Sequence, residues 1–266
     1  MTLRTVFSCG LALLAGLVTT GAQAQGFSAF VTPPRFELQV QPGERLRQVL
    51  EIQHAGLRTG RFRVYTNDWR FRPDQTVEFS DALSPDSCRP WVAVERRELS
   101  IEPAARFRYR FEIAVPPGTP PRECRFALMV EGADAAQVEG ALNFPVGGRI
   151  AVIVYAAIGG AAPRLSMEPA GVRTVNGQQV PQLVVRNTGN AHGRLQGFVN
   201  GRDADGKRIE LAPADSPILP GETRQLALLP VIEEGAAPIT IRYPLQVQGQ
   251  LESGSERLPL DLRFAP

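Results

Sequence analysis

The sequence predicts an all-β protein built as two β-sandwich domains, and three observations carry that prediction. Proline and glycine recur throughout the 266 residues, 23 and 25 of them. Between them lie short segments of β-branched, aromatic and leucine residues, the pattern of strands bounded by turns. Helical periodicity is nearly absent, and Gly159-Gly160-Ala161-Ala162-Pro163, small and proline-terminated, separates two halves that repeat one scheme.

The N-terminus reads as a secretory leader over residues 1–24. Arg4 supplies the positive start, Val6 to Val18 is apolar but too short to span a bilayer, and Ala22-Gln23-Ala24 is a small-x-small cleavage pattern ahead of Gln25. The expected domains are then 25–160 and 161–266, each of ordinary size. No later segment approaches the ~20 apolar residues of a spanning helix. A formal charge of +2 is too balanced to predict a nucleic-acid or membrane partner. Lys207 is the only lysine, so nearly all positive charge is guanidinium, a group suited to bidentate pairing with carboxylates.

Strands are expected in the first half at Phe36–Val40, Arg47–Gln53, Arg61–Asp68, Val77–Phe79, Trp91–Val94, Phe107–Val115, Arg125–Glu131 and Leu142–Tyr155. Turns are marked by Gln41-Pro42-Gly43-Glu44, His54-Ala55-Gly56 and the proline-rich run from Pro116 to Pro121. In the second half the expected strands are Arg164–Met167, Gln182–Arg186, Gly193–Asn200, Gln225–Pro230, Ile239–Gln248 and Arg257–Phe264. The strand–turn–strand unit around His54-Ala55-Gly56 is echoed faintly around Asn187-Thr188-Gly189.

The stretch from Leu142 to Tyr155 stands out. Leu142, Phe144 and Val146 alternate with small or polar residues; Gly147-Gly148 and Arg149 then lead into the unbroken apolar run Ile150–Tyr155. Alternation offers one face outward, whereas a continuous run is covered on both faces. Such a strand suits recognition of another chain by strand pairing. Cys88 and Cys124 remain after leader removal, each just ahead of an expected strand whose start shares one end of a seven-stranded sandwich. In an oxidising compartment this predicts a disulfide enclosing roughly 35 residues. A reactive or metal-binding pair is the competing reading, and no histidine lies nearby in sequence to support it.

Catalytic chemistry has little to build on. The only histidines, His54 and His192, sit in turns of different halves. There is no nucleophile elbow, no phosphate-cradling glycine loop and no metal-ligand spacing. Asp203-Ala204-Asp205-Gly206 lacks the later ligands of a calcium loop and reads as a turn. No enzyme, metal or other cofactor is expected. Tyr65, Trp69 and Trp91 read as core or domain-interface aromatics.

The order of motifs nonetheless resembles a family. Val31-Thr32-Pro33-Pro34-Arg35-Phe36-Glu37-Leu38 follows the leader, and Leu99-Ser100-Ile101-Glu102-Pro103 precedes an aromatic strand. A Pro-Gly turn precedes Cys124-Arg125-Phe126-Ala127-Leu128, and Gly148-Arg149-Ile150 opens the run to Tyr155. Over about Phe30 to Ala162 this is similar to the periplasmic chaperones of chaperone–usher pilus assembly; the second half shares only general sandwich features. The resemblance implies two immunoglobulin-like domains at an angle around a cleft. It also implies donor-strand complementation, in which the seventh strand is lent to a pilus subunit that lacks one. Leu142, Phe144 and Val146 match the donor residues. Arg35 matches the first cation holding the subunit's terminal carboxylate. Ala151 stands where the family has its second cation, and Arg149, two residues earlier on the same strand face, is the substitute. Pro145 removes a backbone donor within the proposed donor strand. The implied partners are secreted pilus subunits and an outer-membrane usher, and the implied location is the periplasm. The alternative is a structural or adhesive protein of tandem immunoglobulin-like domains without chaperone activity.

Overall fold

The computed structural model describes residues 27–72, 76–133, 136–137, 145–175 and 177–266, with the backbone alone at 136–137, 145–146 and 170. Strands dominate, as the turn-punctuated sequence predicts. In the first domain they are β1 (Ala29–Thr32), β2 (Arg35–Val40), β3 (Arg45–His54), β4 (Gly60–Phe71), β5 (Val77–Ser80), β6 (Val92–Val94) and β7 (Glu98–Ile101). There follow β8 (Arg106–Ala114), β9 (Arg122–Gly132), β10 (Ala136–Gln137), β11 (Pro145–Val146) and β12 (Arg149–Ile158). One sheet has the order β1-β3-β8-β6; the facing sheet runs β2-β12-β9-β4-β5, with β7 also on β4. The chain switches sheets at Thr32-Pro33-Pro34: β1 pairs antiparallel with β3, and β2 then pairs parallel with β12.

Alternate residues of both sheets meet in the core. Leu50, Ile52, Tyr109 and Ile113 from one sheet and Val64, Phe126, Leu128 and Val154 from the other are all fully buried. Phe126 to Val130 is buried without alternation, because β9 is central and its outer face is also covered. That outer face forms a separate apolar cluster of Trp69, Ala127, Met129 and Tyr155, joined by Leu219 of the second domain. It is what the continuous apolar run anticipates.

The second domain comprises β13 (Leu165–Val175), β14 (Gln178–Asn187), β15 (Val199–Arg202), β16 (Arg208–Pro213), β17 (Thr223–Pro230), β18 (Leu245–Ser253) and β19 (Glu256–Phe264). Their order is β13-β14-β17-β16-β15-β18-β19. β17 serves both layers, pairing through Thr223–Ala227 with β14 and through Leu228–Pro230 with β16. Leu183, Leu211, Ile218, Leu245 and Phe264 fill a core of its own.

Several expectations change in detail. The segment read as one strand from Leu142 to Tyr155 is interrupted: β12 begins at Arg149, and Gly147-Gly148 lies outside the strands. A side chain at position 148 would collide with the ring of Phe27, which packs there and edge-on against Phe62. Leu142 and Phe144 lie outside the described residues. Ala29–Thr32, Glu98–Ile101 and Arg208–Pro213 are strands the sequence reading passed over, and residues 193–198 and 239–244, expected as parts of strands, lie outside the strands.

Cys88, just before a 3-10 turn at Arg89–Trp91, and Cys124, the third residue of β9, form a disulfide with Cα atoms 5.9 Å apart. It ties a surface loop to the central strand across 36 positions. Reduction, or joint replacement by alanine, should cost about 3–4 kcal/mol in the chain-entropy account. At about 2–4 °C per kcal/mol, that is a fall of roughly 6–16 °C in Tm. Thermal unfolding with and without reductant measures this, and a fall under about 2 °C would sink the estimate.

Candidate functional site

The outer face of β2, β12 and β9 looks toward the second domain. Strand alternation decides which side chains stand there: Phe36 and Val154 point into the core, so Arg35, Glu37, Ile153 and Tyr155 point out. Opposite them are the loops carrying Ala191–Leu195 and Ala214–Ile218. Between the two lies a cleft of about 320 Å³ lined by Glu37, Tyr155, Ala157, His192, Arg194 and Ser253.

The cleft floor is tightly joined. The His192 ring stacks on Tyr155 with centroids 3.7 Å apart. Its Nδ1 and backbone N–H both meet the Glu123 carboxylate, whose side chain is almost wholly buried. Asn190 donates through Nδ2 to Pro121 O at 2.9 Å, and the Glu123 N–H donates to Asn190 O at 3.0 Å. Burial pushes the Tyr155 phenol up to about 12 against the nearby Arg194 charge, so it stays neutral. Ala157, Ala161 and Ala191 pack together where the chain passes between domains, and a side chain at Gly189 would strike the backbone of Ala162–Arg164. Farther along, the Arg224 guanidinium lies 4.0 Å from the centroid of the Phe71 ring.

At the cleft mouth, two arginines and two carboxylates interlock. Arg35 Nε donates to Glu37 Oε1 at 2.8 Å and its Nη1 to Asp215 Oδ2 at 3.2 Å. Arg194 Nη1 donates to Asp215 Oδ1 at 2.7 Å. Arg194 Nε lies 3.3 Å from Glu37 Oε1 yet has no aligned hydrogen bond, so the N–H direction fails and not the separation. Burial works against the charge of Asp215, but Arg194 and then Arg35 outweigh it and hold its pKa below the ordinary carboxylate value. Burial likewise opposes the charge of Arg35, and Asp215 and Glu37 raise its pKa regardless.

Arg149 stands apart. The parallel register sets Arg35 opposite Ile153, four residues beyond Arg149 and about 13 Å along the strand. Arg149 instead faces Glu131 across the ladder, beside Tyr65, whose hydroxyl donates to Glu131 Oε2 at 3.0 Å. The two arginines are not brought to one point in this structure; the cation beside Arg35 is Arg194. Sequence reasoning missed it because 159 positions separate the pair and no period or motif links them. Val146 is described in backbone only, pairing with Ala136.

The edge of β12 has one open stretch. From Ile153 to Ile158 it is flanked by β9 and β2, but over Arg149–Val152 no strand among the described residues lies on the side away from β9.

No family model matches the chain, and no curated protein matches its sequence. Among solved structures it is similar to the YadV chaperone, with a TM-score of 0.49 and 10% identity over 89% of this chain and 100% of that one. It is similar to the chaperone DraB of E. coli, with a TM-score of 0.48 and 14% identity over 90% and 100%. A third is from the CsuC–CsuE chaperone–tip adhesion subunit complex of Acinetobacter baumannii, with a TM-score of 0.46 and 14% identity over 88% and 97%. Identity is low in all three.

Proposed function

We propose that this protein is a periplasmic chaperone that binds secreted fimbrial subunits by strand addition at β12, with the subunit's terminal carboxylate received at Arg35. The observation that carries this reading is the open edge over Arg149–Val152, bounded by Arg35. A strand laid parallel to β12 on that edge passes Arg149 first and ends where β2 begins, so its last residue abuts the Arg35 guanidinium. Backbone hydrogen bonds supply affinity, and the side chains of Leu142, Phe144 and Val146, upstream on the donor segment, supply specificity. An arginine held between carboxylates is a natural acceptor of one more carboxylate by exchange.

The test is co-expression with candidate secreted fimbrial subunits, co-purification from the periplasm, and amide hydrogen exchange on the complex. Exchange should slow over residues 149–152 and stay unchanged over 153–158, which are already paired on both sides. If the wild-type protein retains no partner, or exchange at 149–152 is the same free and bound, the reading fails. The tandem-sandwich structural protein then takes its place.

A further inference from the structure

Building on that reading, we propose that Arg35 and Arg194 together form a two-cation carboxylate seat, and that Asp215 is an internal occupant which an incoming C-terminal carboxylate displaces. The seat joins the two domains: Arg35 comes from the start of β2, and Arg194 from the second-domain loop that follows His192. Each takes a different oxygen of Asp215, Oδ2 at 3.2 Å and Oδ1 at 2.7 Å, which is how one carboxylate bridges two guanidinium groups.

Three further features mark Asp215 as exchangeable and Arg194 as fixed. Its side chain is 66% exposed, whereas that of Arg194 is only 9% exposed and is held over the Tyr155 ring. Asp215 sits on the short connection after β16, with no strand pairing of its own. Arg194 Nε is buried without an aligned acceptor, so the seat retains an unused donor even while Asp215 is in place. Charge balance favours exchange over addition. Two guanidinium groups face the carboxylates of Asp215 and Glu37, so a ligand carboxylate added as a third beside both would leave the cluster negative. Swapping it for Asp215 leaves the total unchanged. Location completes the argument, since the seat lies where a strand added parallel to β12 must end.

An internal competitor lowers apparent affinity by the fraction of molecules whose seat is free. Asp215→Asn should therefore tighten carboxylate binding, by roughly tenfold if the seat is about nine-tenths self-occupied. The probe is a nine-residue alternating Thr-Val peptide with a free C-terminus, and its C-terminal amide as control. Binding is followed by NMR at the Arg35 and Arg194 Nε–H signals in the full-length mature protein. The free-acid peptide should move both signals, more tightly in Asp215→Asn and Asp215→Ala than in wild type, and the amide should move neither. Arg194→Gln should lose the response, and Arg194→Lys should recover part of it. Equal or weaker binding by both Asp215 variants, or no carboxylate-dependent shift in either, overturns the proposal. So does Arg194→Gln binding as wild type does. Failure of the chaperone reading looks different: the arginine signals respond to the free acid as expected, but no subunit is retained and exchange at 149–152 does not change.

Discussion

Arg35→Ala is expected to abolish retention of secreted subunits while lowering Tm by no more than about 3 °C. The two halves of this expectation have separate causes. For stability, the Arg35 side chain is 37% exposed, and exposed ion pairs contribute about 0–1 kcal/mol. That is worth up to about 2–4 °C in a chain of this size. Asp215 also keeps its bond to Arg194 when Arg35 is gone. For binding, removing one partner of a charge-assisted contact at a desolvated strand end costs about 2–5 kcal/mol, roughly 30- to several-thousand-fold. Co-purification from the periplasm, scored beside thermal unfolding of the same preparation, measures both. A variant that keeps every partner of the wild type removes Arg35 from the mechanism.

The largest single loss of stability is expected at Asn187, where β14 ends. Its side chain is fully buried and at full hydrogen-bonding capacity. Nδ2 donates to Ala191 O at 2.8 Å and Ile218 O at 2.9 Å, and Oδ1 accepts from Arg164 N at 3.1 Å and Gly189 N at 2.9 Å. One amide thus ties together the connection between domains, the loop that carries His192, and the segment that follows Asp215. Asn187→Ala strands the Ala191 carbonyl and two N–H groups, while the Ile218 carbonyl keeps the Gly193 N–H. At about 1–3 kcal/mol for each group left dry, with water entering the vacated space to relieve some, the cost is about 3–5 kcal/mol. Tm should fall by roughly 6–20 °C. Asn187→Asp preserves the shape but loses both donors, so it should fall nearly as far. Thermal unfolding of the two variants distinguishes lost volume from lost hydrogen bonds, and a fall under about 3 °C in both would refute the account.

Asn187 was visible in the sequence only as part of a turn, and that is typical of what could and could not be read. The apolar runs of β9 and β12 announced central strands because burial on both faces needs nothing beyond local composition. The cysteines were legible from their places just ahead of the expected strands Trp91–Val94 and Arg125–Glu131, although Cys124 itself lies within β9. Ala29–Thr32 was missed because four residues show too little alternation, and Arg208–Pro213 because only Ile209 and Leu211 mark its buried face. His54 was read as a turn residue; both ring nitrogens engage backbone oxygens, of Ser28 at 2.9 Å and Arg58 at 2.7 Å, so it closes the end of β3. Arg35 is a candidate that only the order of motifs singles out. Its neighbours Arg194 and Asp215 could not be singled out in this way, since an ion pair between distant loops leaves no periodic trace in either segment.

The alanine contact between the domains has a consequence for kinetics. Where Ala157, Ala161 and Ala191 meet and Gly189 lies against Ala162–Arg164, backbone rests on backbone, with no long side chains to adopt a second packing. Two domains joined by flexible, rotamer-rich contacts would sample many mutual orientations, and a ligand touching both would pay to select one. Here that selection is made once, during folding. Under the proposed function, an arriving strand would meet an edge and a terminal seat already at their working separation, and the step that limits its capture would be encounter and alignment, not closure of the domains around it.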